Sequence, residues 1–146
     1  MKKLLVIPML LMLIILSYGC SSENEVENKM LTFAGFKISI NSDETLCFYG
    51  LEKMWENIEP LYIPSKICGR NVTRLSYDNE ATWEGCIEIY IPSSVVYIEN
   101  RTFTNYSNSL SDIYLDWGSV SSTSFVPSYV RLHLKDDYGD YVVYSR

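Results

Sequence analysis

The stretch "WENIEPLYIPS", Trp55 to Ser65, is followed by "WEGCIEIYIPS", Trp83 to Ser93, with every matched position displaced by 28 residues. Trp, Glu, Tyr, Ile, Pro and Ser recur unchanged, so one unit is spelled twice. Self-similarity at a fixed offset is the signature of repeat architectures. Two weaker copies follow, "FTNYSNSLSDIYLD" from Phe103 and "FVPSYVRLHLK" from Phe125. Each couples an aromatic residue to a short strand of alternating apolar and polar residues. The strands read Leu61-Tyr62-Ile63, Ile89-Tyr90-Ile91, Ile113-Tyr114-Leu115 and Leu132-His133-Leu134, with Ile38-Ser39-Ile40 as an earlier candidate. Their last apolar residues lie 23, 28, 24 and 19 positions apart.

Alternation of period two turns Ile89 and Ile91 to one side and Tyr90 to the other. A three-residue strand cannot bury a core alone, but stacked in parallel with its neighbours it can. The return path of each coil is then lined by Val72, Leu75 and Trp83, or by Val95, Ile98 and Phe103. Extra residues in "KICGRN" and "SYDNEA" read as insertions in loops, which cost little. "LHLKDDYGDYVVYSR" reads as a terminal hairpin joined by "DDYGD". At the other end "LTFAGFKISI" supplies an opening strand, and "LEKMWENIE" a short turn of helix ended by Pro60.

The segment "IEIYIPSSVVYIENRTFTNYSNSLSDIYL" resembles the leucine-rich repeat of BspA-like bacterial surface proteins. Ile91-Pro92, Ser94-Val95, Ile98, Phe103 and Leu110 match that repeat directly, and Trp83-Glu84-Gly85-Cys86 matches its aromatic-x-Gly-Cys element. Tyr106 and Tyr129 hold the place of that Cys, a position that faces the core. The likeness covers about residues 58–134. It implies a right-handed leucine-rich-repeat solenoid, mainly β with short parallel strands and little helix, of four to five coils with a C-terminal β-hairpin cap. It also implies a surface role in adhesion to host matrix proteins or other cells.

The first twenty residues carry an address. Lys2 and Lys3 precede an apolar run from Leu4 to Leu16, and "SYGC" ends it, the layout of a secretory signal. A Cys after Gly resembles a lipoprotein signal, with Cys20 as the lipid attachment. An ordinary cleavage site at Ser17 and Gly19 is the alternative. "SSENEVENK" then reads as a flexible acidic tether. The expected organisation is a signal peptide over 1–19, a lipid-anchored linker over 20–31 and a repeat domain over 32–146. It would be exported, held at the bacterial outer membrane and exposed on the cell surface.

A net charge of −6 disfavours nucleic acid. With one His and no CxxC pair, neither a metal nor any other cofactor is expected. Cys47, Cys68 and Cys86 are an odd set, so at least one thiol stays unpaired or buried. His133 and Asp112 on neighbouring strands would form the one conceivable acid–base pair. No nucleophile elbow, phosphate loop or zinc motif accompanies it, so no catalytic residue is assigned. The stacked register instead gives a stripe of Ser39, Tyr62, Tyr90, Tyr114 and His133, flanked by Glu88, Asp112 and Arg131. Tyr62, Tyr90, Tyr114 and His133 are the expected ligand-binding residues, and a protein is the expected partner. A glycan-binding accessory and a structural envelope protein without a ligand are the alternatives.

Overall fold

Three short turns set the architecture. The computed structural model describes residues 30–56, 59–104, 109–118 and 122–144. In "LTFAGFKISI", Ala34 and Gly35 both take positive φ, 51° and 83°. That is the two-residue turn whose twist matches antiparallel strands. It folds β1 (Leu31–Phe33) back on β2 (Phe36–Ile40), with Phe33 opposite Phe36. A second turn at Glu44 (φ 63°) returns the chain as β3 (Leu46–Leu51), antiparallel to β2. Cys68 and Gly69 repeat the first device, with φ of 49° and 79°. They close the hairpin of β5 (Lys66–Ile67) and β6 (Arg70–Leu75). "KICGRN" is therefore a hairpin and not a loop insertion.

The regular solenoid expected from the repeat is not what the chain forms. Among the described residues there are eleven strands and no helix, in two mixed sheets that curl into a half-barrel. The first sheet runs β1-β2-β3-β6-β5, with β8 (Tyr97–Ile98) parallel to β6. The second contains β4 (Leu61–Tyr62), β7 (Glu88–Ile91), β9 (Asp112–Leu115), β10 (Arg131–Lys135) and β11 (Tyr141–Val143), in the order β11-β10-β9-β7-β4. The hairpins β1–β2, β2–β3 and β5–β6 are antiparallel and break the uniform winding a solenoid requires, while β10–β11 is the terminal hairpin expected. The cause is local: two-residue turns at Ala34-Gly35 and Cys68-Gly69, and a tight return at Glu44, reverse a strand at once, where a coil needs a long return.

Other expectations are also corrected. Ser39 lies on β2 in the first sheet, its Oγ 3.0 Å from the Tyr49 hydroxyl, and has no place in the tyrosine stripe. Residues 52–56 of "LEKMWENIE" are extended and irregular, not helical, and Asn57 and Ile58 lie outside the described residues. Tyr129 is 59% exposed and Val130 takes the core position beside it. Tyr106, Cys20, the 1–19 signal and most of the 20–31 linker also lie outside the described residues.

One core fills the space between the sheets. Leu61, Ile63, Ile89, Ile91, Ile113, Leu115, Leu132 and Leu134 are all buried, as their alternation dictates. So are Val72, Leu75, Trp83, Val95, Ile98 and Phe103. An aromatic spine runs through them: Phe36, Phe48, Trp83, Phe103 and Phe125, with successive ring centroids 5.1, 5.7, 4.9 and 6.5 Å apart. Cys47 and Cys86 are buried free thiols, and burial pushes the Cys86 thiol up to about 12.

The segment before β4 is pinned to this core through Gly85. The Trp55 amide donates to the Glu84 carbonyl at 2.8 Å, and Gly85 has φ +85°. A Cβ built at Gly85 would stand 2.0 Å from the Trp55 carbonyl oxygen. Gly85→Ala is therefore expected to lower stability by about 2 kcal/mol or more, read as a shifted urea midpoint. An unchanged midpoint would contradict this packing.

Candidate functional site

The second sheet brings four of the expected residues into one row. Its parallel pairings set Tyr62 beside Tyr90, Tyr90 beside Tyr114 and Tyr114 beside His133. Adjacent strands lie about 4.8 Å apart, near the lower end of the roughly 4.5–7 Å centroid separation of offset-stacked rings. The rings lean together slightly more than that. Centroids are 4.6, 4.3 and 4.3 Å apart, with interplanar angles of 18°, 3° and 15°. The result is a continuous aromatic ladder across four strands.

The two ends of this ladder differ. Tyr62, on the edge strand β4, is 63% exposed. Its strand is flanked by Pro60 and Pro64. At the other end His133 is buried, and its Nε2 lies 2.6 Å from Asp112 Oδ1. Arg131 Nη2 donates to Asp112 Oδ2 at 2.8 Å, and Ser111 Oγ donates to the same oxygen at 2.6 Å. Asp112 is 2% exposed, although its position two residues before Tyr114 would put it on the open face. Arg131 and His133 on the neighbouring strand cover it.

Burial alone would raise the Asp112 carboxyl, but the hydrogen bonds from Arg131, Ser111 and His133 outweigh it and bring it down to about 2. The same contact raises Arg131. Both carboxylate oxygens are engaged, and the bond to Asp112 holds the His133 imidazole where it stacks on Tyr114. Burial, with the neighbouring Tyr114 and Glu88 charges, pushes the Tyr90 phenol up to about 12. Burial likewise raises Tyr114.

Tyr141 was not legible as part of this site. It stands on β11 opposite Lys135 and leans edge-on over the ladder, 5.7 Å from Tyr90 and 5.2 Å from Tyr114, at 78° to both. Its hydroxyl donates to Asp116 Oδ1 at 3.1 Å, an oxygen that also accepts from Lys135 Nζ at 2.6 Å. The only sequence signal was an aromatic residue in the closing hairpin. Tyr141 covers the middle of the ladder and leaves the Tyr62 end open.

Asp112 makes stability depend on acid. Its folded value lies below the ordinary 3.8, so the stabilisation is complete above that value and is lost as pH falls through about 2. Urea midpoints should fall across this window by on the order of 2 kcal/mol of stability, and Asp112→Asn should flatten the dependence. Parallel acid curves for the two proteins would remove Asp112 from this role.

No family model, no curated protein and no solved structure matches the chain.

Proposed function

We propose that this chain is a non-catalytic, exported lipoprotein of the bacterial envelope, anchored through Cys20 at the outer membrane. It binds a protein partner through the sheet face that carries Tyr62, Tyr90, Tyr114 and His133. What supports this reading most is the open end of the ladder: a Tyr62 ring 63% exposed, yet backed by Tyr90 at 4.6 Å. A ring held this way offers apolar area without loss of side-chain freedom on binding. The likeness to BspA-like surface proteins supplies adhesion to host or neighbouring cells as the class of partner. It rests on the repeat residues, since the architecture departs from a regular solenoid.

The covered half of the ladder favours a division of labour. Tyr141 closes over Tyr90 and Tyr114, and Asp112 holds His133. Tyr114 and His133 then serve as backing, and Tyr62 with the outer part of Tyr90 makes the contact. If the whole row is scaffold instead, the chain is an envelope protein without a dedicated ligand.

A photoreactive residue at position 62, in living cells, should capture one discrete protein, while the same residue at the exposed Val96 beside the first sheet should not. No adduct at position 62 sinks the binding reading. Stability separates the roles further. Tyr62→Ala should cost less than about 1 kcal/mol, whereas Tyr90→Ala removes two stacked neighbours and an edge contact and should cost about 2 kcal/mol. Equal losses in urea denaturation would contradict the division.

A further inference from the structure

The two outer edges of the second sheet are treated differently. β4 is only two residues long, and Pro60 and Pro64 flank it, so it offers little to an incoming strand. β11 has no such protection. Residues 141–144, "YVVY", contain no charge and no proline, and among the described residues β11 pairs on one side only, with β10. Val142 is 49% exposed, Val143 59%, and Tyr138 in the preceding turn 92%.

The polarity of this edge can be read from its pairing. The Tyr144 amide donates to the Leu132 carbonyl at 2.8 Å. Hydrogen-bonded and non-bonded pairs alternate along an antiparallel ladder, so Val142, opposite Leu134, also bonds inward. Tyr141 and Val143, opposite Lys135 and His133, then turn their amides and carbonyls outward.

We propose that β11 is a self-association edge, at which a second copy of this chain adds its own β11 antiparallel about a twofold axis through Val142. The pattern is self-complementary. Tyr141 of one copy meets Val143 of the other, and every outward amide finds an outward carbonyl. The two Val142 side chains meet at the axis, in the closer, non-bonded kind of pair. The self-complementary pattern selects the occupant, and charge selects its direction. Asp136, Asp137 and Asp140 make the adjoining turn acidic. Antiparallel addition puts the two turns at opposite ends, whereas a parallel copy would set them side by side. The joint is small against the roughly 1,200–2,000 Å² of a stable interface, so the pairing is weak and concentration-dependent. It makes one continuous sheet with a Tyr62 ring at each outer edge, roughly 40 Å apart.

The test uses the full chain in the cells that export it, with the parent chain as baseline. Val142→Cys puts a thiol on the axis, at a Cα separation of about 4.5 Å, within disulfide range. Mild oxidation should give a reducible dimer of the chain as the dominant band. That band should be lost in Val142→Cys combined with Val143→Pro, which removes an outward donor without touching the ladder to β10. Val96→Cys, exposed but remote, should give none. Near-ultraviolet circular dichroism of the purified proteins checks that the ring ladder persists in each. No dimer from Val142→Cys, an equal band from Val96→Cys, a band that survives Val143→Pro, or a disulfide to a different protein would each overturn the proposal. Photocapture at position 62 is a separate readout, so partner binding can fail or hold independently of this joint.

Discussion

The parallel register of β4, β7, β9 and β10 is the constraint on which the rest of the molecule depends. A slip of one residue in any of these strands would turn its apolar pair to solvent and its ring to the core. The register is held from both sides of the sheet. Inside, Leu61 to Leu134 interdigitate with the aromatic spine around Trp83. Outside, each ring stacks on the next, so the face that meets water also favours the same alignment.

The charges are arranged around that register. Arg131 and Asp112 are opposite one another on β10 and β9, and Lys135 reaches Asp116 one rung beyond the ladder. Exposed ion pairs contribute little to stability. Asp112 differs because its carboxylate is buried and both of its oxygens are engaged. It exchanges a solvated charge for a fixed hydrogen-bonded one that orients the His133 ring. The pair that resembles an acid–base couple in sequence also anchors the end of the aromatic stack.

The alternation of apolar and polar residues was enough to identify the four strands of the ladder, the residues they bury and the row they present. That much follows from period two and a repeated offset. The sequence did not reveal the reversals at Ala34-Gly35 and Cys68-Gly69. There the first turn residue is an Ala or a Cys, types that rarely accept positive φ, so neither pair advertises a hairpin as Asn-Gly would. These turns, with the return at Glu44, make the first sheet mixed where a coil was expected. Tyr141 escaped notice for another reason. Its contacts with Tyr90 and Tyr114 cross the strand order, and no periodicity encodes them. Alternation puts Asp112 on the open face and its neighbouring strand is legible, but no periodicity encodes that Arg131 and His133 fold over the carboxylate and bury it.

The two unpaired cysteines among the described residues have a chemical consequence. Cys47 sits within β3 of the first sheet, and Cys86 lies just before β7 of the second. Both are sealed from solvent, and thiolate is the reactive form, so neither can be modified unless its surroundings part. Each sheet thus carries its own internal sentinel. Comparing how fast the two sulfurs are labelled would time the breathing of the two halves separately, with no foreign probe introduced.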